Sequence, residues 1–106
     1  MRTRSYTVDD VRLNDGRPLG RAVVTVYGPD DKSLLPAWIG DLYLSCDADV
    51  ENKLRSTVIV GDGVIETNIG PLFVQGVSGG CCSFKGKNRP AGALLNMIDM
   101  NDWLLR

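Results

Sequence analysis

Glycine, proline and aspartate punctuate this chain at short intervals, and the apolar residues fall into brief runs between them. That spacing argues for short strands joined by tight turns, a β-rich domain rather than a bundle of long helices. The first run, "RSYTVDDVRL", alternates through Tyr6 and Val8, then changes phase to Val11 and Leu13. A one-residue slip of this kind predicts a β-bulge at Asp9 and Asp10. "NDG" at 14–16 predicts a turn, because glycine accepts positive φ at little steric cost. "RAVVTVY" at 21–27 is apolar at nearly every position, as expected of a strand buried on both faces. "GPDD" at 28–31 predicts another turn.

Pro36 removes a backbone donor and disfavours helix at Leu35, so "KSLLPAWIG" reads as a loop carrying Trp38 and Ile39. "DLYLSC" at 41–46 reads as a strand with Leu42, Leu44 and Cys46 on one face. In "DADVENKLR" at 47–55 a short helix is predicted. Asp47 is its N-cap, Asp49 and Glu51 meet the positive end of the dipole, and Lys53 and Arg55 meet the negative end. "STVIV" (56–60) and "VIETN" (64–68), joined by "GDG", predict a β-hairpin. "PLFVQGV" at 71–77 adds a strand. The terminal stretch from Pro90 places Leu94, Leu95, Ile98 and Leu105 at roughly helical spacing.

The expected architecture is therefore mainly β (α+β): a small curled antiparallel sheet or partly open barrel of about six strands, with one short helix and a C-terminal helix. A chain of 106 residues has apolar surface for one core, so residues 1–106 are read as a single domain. Hydrophobic content of 43% and charged content of 24% match an ordinary soluble globular chain. No apolar run reaches the ~20 residues of a membrane span, and no apolar stretch follows the basic start as in a secretory signal. A cytoplasmic protein without membrane contact is expected.

Histidine is absent. Triads built on imidazole cannot form within one such chain, and zinc sites mixing cysteine with histidine are excluded. A non-enzymatic protein with no cofactor and no metal follows as the expectation. The formal net charge is −1, too balanced for a dedicated polyanion binder. Three cysteines, Cys46, Cys81 and Cys82, make a poor disulfide framework and read as reduced, mostly buried thiols.

The most chemically suggestive stretch is "GVSGGCCSFKGKNRP" at 76–90. It fails the P-loop pattern: Cys81 stands where the first glycine belongs, and Asn88 replaces the magnesium-binding hydroxyl. An anion-binding loop remains, with Ser83, Lys85, Lys87 and Arg89 as donors and Phe84 able to stack on a base. Asp41, Asp47, Asp49 and Glu51 lack the glycine of a calcium loop and read as caps and a solvated edge. Trp38 and Ile39, placed in a loop, are the interface candidates, because tryptophan is enriched at binding hot spots.

Three functions are thus open. The first is a protein–protein contact module of the size and style of phage or mobile-element inhibitors and adaptors, self-associating through an edge strand. The second is a binder of nucleotide or nucleic-acid phosphate at loop 76–89. The third is a virion or assembly subunit.

Overall fold

Backbone hydrogen bonding gathers the apolar runs into one six-stranded antiparallel sheet. The structure is a computed structural model and describes residues 3–27, 37–61 and 63–98. Strands β1 (Thr3–Arg12), β2 (Pro18–Tyr27) and β3 (Ala37–Leu44) form a first meander. Helix α1 (Ala48–Val60) leads to a second, made of β4 (Val64–Thr67), β5 (Gly70–Ser78) and β6 (Cys81–Gly86), and helix α2 (Gly92–Met97) follows. The strand order is β1-β2-β3-β6-β5-β4, so β3 and β6 pair at the centre and the first strand of each meander lies at an edge.

Those two edges meet at one end. Leu13 and Thr67 form an antiparallel bridge, and the Asn14 amide donates to the Glu66 carbonyl at 3.3 Å. Asn68 completes the junction by standing in for backbone. Its Oδ1 accepts from the Arg12 amide at 2.9 Å, and its Nδ2 donates to the Asp10 carbonyl at 2.8 Å. The sheet is thereby curled into a half-barrel, joined at that end.

The predicted bulge lies where the phase change put it. Between the pairs Val8↔Ala22 and Val11↔Gly20, Asp9 and Asp10 stand opposite Arg21 alone. The extra residue returns Val11 and Leu13 to the inner face, where both are buried. Leu19, Ala22, Val24, Val26, Leu42, Leu72, Val74, Cys82 and Phe84 fill that face, and Val50 and Leu54 of α1 cap it from inside the curl. Leu94 and Ile98 close the β1 side.

Helix α1 starts as its sequence dictates. The Asp47 carboxylate accepts from the Val50 amide at 2.9 Å, satisfying a donor that the first turn leaves unpaired. The helix does not stop at Arg55, however. It runs through "STVIV" to Val60, and this corrects the predicted hairpin. Once a helix is nucleated, each further residue adds a hydrogen bond, while a β-branched residue costs at most about 0.7 kcal/mol. Val50, Leu54 and Val58 keep a continuous stripe on the core. Gly61 ends the helix in the left-handed region (φ 80°), its amide donating to the Thr57 and Val58 carbonyls. Lys53 and Arg55 are consequently mid-helix, and the last turn holds no basic residue. "VIET" pairs instead with the strand that follows it, Thr67↔Gly70 closing a two-residue turn.

The loop predicted around Trp38 is also corrected. β3 begins directly after Pro36, and Trp38 is fully buried on the inner face. Its indole lies flat against Gly86, where any Cβ would collide with the ring, and it meets Phe84 edge-on with centroids 6.0 Å apart. Its Nε1–H donates to the Asn88 carbonyl at 3.0 Å, so the one polar atom of the indole is satisfied. The predicted C-terminal helix is present but short; Pro90 precedes it, and it starts at Gly92. The "GPDD" turn, Trp103 and Leu105 lie outside the described residues.

Candidate protein-contact face

Strand alternation leaves a second surface, the outer face of the curl. Both helices contribute to the core from the inner side. Among the described residues, no helix lies across the outer face of β2, β3 and β6. The registers align its side chains in rows. One row reads Arg21, Tyr43, Cys81, Ser78; the next Val23, Asp41, Ser83, Gly76; the third Thr25, Ile39, Lys85, Phe73. Val23, Ile39 and Tyr43 are 36%, 38% and 45% exposed, large apolar or aromatic side chains left in water on neighbouring strands. The Arg21 guanidinium sits 5.2 Å from the centre of the Tyr43 ring, a cation–π contact that holds the ring at the rim.

"RAVVTVY" therefore has a buried face (Ala22, Val24, Val26) and an exposed one (Val23, Thr25), which corrects the expectation of burial on both sides. The apolar residues at the outward positions were visible in the sequence. Such a pattern fits either a sheet covered on both faces or a face left open, and periodicity does not separate the two.

Two shallow hollows meet at Ser83. One, of about 240 Å³, lies between Val23, Ile39, Asp41 and Gln75. The other, of about 370 Å³, is bounded by Gly76, Val77, Ser78 and Cys81. They exist because β6 presents only small side chains outward at Cys81 and Ser83. The bulge that sets Gln75 and Gly76 opposite Ser83 lowers the neighbouring strand as well.

The stretch 76–90 is not one loop: it comprises the end of β5, a tight turn, β6 and only a short non-strand segment at 87–90. Gly79 and Gly80 adopt positive φ (57° and 76°) between the paired residues Ser78 and Cys81. The Gly80 carbonyl already accepts from the Leu44 amide at 2.8 Å. The glycines sit at one end of β6 and Lys85, Lys87 and Arg89 at the other, about 20 Å away at strand rise. The fold thus separates the amides from the cations that the anion-loop reading needed together. Phe84 points into the core and is 1% exposed, so its ring has no open face for a base. Ser83 and Lys85 share the outer face with Ile39, whereas Lys87 and Arg89 lie beyond the strand. Trp38 and Ile39, the two interface candidates, point to opposite faces, and only Ile39 reaches solvent.

Burial also acts on two of the thiols. Cys82 is buried, and loss of hydration pushes it up to about 12, with Cys81, Asp41 and Cys46 adding smaller repulsions. Burial likewise raises Cys46 above the ordinary thiol range. A raised thiol pKa lowers the thiolate fraction, so neither residue is set up as a nucleophile. At the opposite turn, the Arg17 amide and guanidinium hold Asp15 below the usual carboxylate range.

Fold and face together define a one-core, curled antiparallel β protein with a partly apolar sheet surface that no helix covers among the described residues. No protein-family model, curated protein or solved structure matches the chain.

Proposed function

We propose that the protein acts by contact with another protein chain through the outer face of β2, β3 and β6, in the manner of a small inhibitor or adaptor. The observation that carries this reading is the exposure of Val23, Ile39 and Tyr43 side by side, with Arg21, Asp41 and Lys85 among and around them. Aromatic and arginine side chains are enriched at protein interfaces, and Tyr43 with Arg21 supplies that pair here beside Val23 and Ile39, with the Asp41 carboxylate between them. The lack of histidine supports a binding role over a catalytic one. Among the described residues the face has no cradle of convergent amides, which favours protein over phosphate as its target.

The test is site-specific photocrosslinking in cells. A photoreactive side chain at Ile39 should give discrete protein adducts, while the same group at Asp49, exposed on α1, should give far fewer. Equal labelling from both sites, or none from Ile39, overturns the reading.

A further inference from the structure

Taking the contact reading as its base, we infer that the outer face pairs with the same face of a second copy of this chain. The argument lies in how the rows are filled. In the first two rows the β2–β3 half is tall, with Tyr43 and Val23, and the β6–β5 half is low at Cys81, Ser83 and Gly76, with the exposed Gln75 of the bulge as a wall of that trough. A ridge and a trough of the same length therefore run side by side along the sheet, with the boundary between β3 and β6.

A half-turn about an axis parallel to the strands at that boundary lays each ridge into the other copy's trough. Tyr43 then faces Cys81, Asp41 faces Ser83 and Ile39 faces Lys85, each pair formed twice. One strand outward, Val23 enters the space left by Gly76. Charge agrees with shape. The Ser83 hydroxyl can donate to the facing Asp41 carboxylate, and Lys85, one row along, lays its alkyl stem on Ile39 with its ammonium toward the same carboxylate. The face supplies its own complement, the requirement for an isologous contact. The strands of the two sheets run nearly aligned in this arrangement, a common mode of face-to-face packing.

The area fits a weak, reversible dimer. The curl carries β1 and β4 away from the contact, leaving four strands and three rows. At strand spacing and rise this is a footprint of about 19 by 20 Å, or roughly 1,000 Å² of total buried surface once side-chain relief is included. That is the lower end for a specific contact, so dissociation in the micromolar range is expected.

Sedimentation velocity over roughly 1–200 µM tests the pairing. The wild-type chain should pass from monomer to dimer across that range. Ser83→Trp fills the trough and should weaken the dimer more than tenfold. Asp41→Lys should weaken it about tenfold, and Asp41→Lys with Lys85→Asp should restore it to within about threefold, because the opposite charges then face each other again. Each variant is first checked for a wild-type-like thermal transition. A chain that stays monomeric at the highest concentration overturns the pairing, as does a dimer indifferent to Ser83→Trp and to both charge variants. If the chain is monomeric yet Ile39 captures a protein of different mass, self-pairing falls while the contact reading stands.

Discussion

Two β-branched runs of nearly the same composition, "VVTV" at 23–26 and "STVIV" at 56–60, take opposite conformations in this molecule. The first is paired on both sides, by β1 and by β3, and sends Val24 and Val26 into the core. The second continues a helix that Asp47 starts and Gly61 stops, and it leaves Ile59 and Val60 at 84% and 76% exposure. Intrinsic preference for strand is worth at most about 1 kcal/mol per residue and depends on what the side chain packs against. In the first run the packing supports the preference. In the second, a capped helix whose buried stripe is already in place overrides it.

The difference is open to attack at either run. The largest effect should come from Val24→Lys, which places an ammonium where no water reaches. A loss of more than about 4 kcal/mol, seen as disappearance of the cooperative thermal transition, is expected. Gly61→Val comes next, since a β-branched residue is strained at φ 80°. Denaturant unfolding should show a cost of about 1–2 kcal/mol. If helical circular dichroism also collapses, the stop signal holds this run in helix more than the packing does. Asp47→Ala removes the bond to the Val50 amide and should cost about 1 kcal/mol in the same assay. The smallest change is Ile59→Lys, which should raise stability by a few tenths of a kcal/mol. It replaces an exposed β-branched residue with a better helix former, whose charge suits a last turn that has no base. A measurable loss from Ile59→Lys would mean that this side chain is covered.

What the sequence disclosed and what it withheld divide along the same line. The phase change at Asp9 and Asp10 was legible because one inserted residue must flip every later side chain. The Asp47 cap was legible because its bond is made three residues away. "STVIV" misled because its fate depends on a core contact at Val58 and on the pairing of Val64 with Phe73 rather than with itself. Trp38 misled for a related reason. Pro36 says only where a strand cannot extend, while the space that accepts the indole is made by Gly86 and Gly70, far along the chain. In the glycine-rich stretch the residue types pointed to a flexible loop. The alternation of Cys82, Phe84 and Gly86 inward with Cys81, Ser83 and Lys85 outward was present but overshadowed by them. The sequence offers Ile39 as an interface residue only as Trp38's neighbour in a loop, and its exposure follows instead from lying one residue out of phase with Trp38 in a strand.

The junction held by Asn68 bears on the order of assembly. It ties that residue to Arg12 across 56 positions, whereas the strands of each three-stranded half follow one another directly in the chain. Long-range closure is slow because chain entropy must be surrendered before any contact rewards it. Each half therefore takes shape ahead of the join, and warming or force should part the join first, springing the curl open while its staves remain intact.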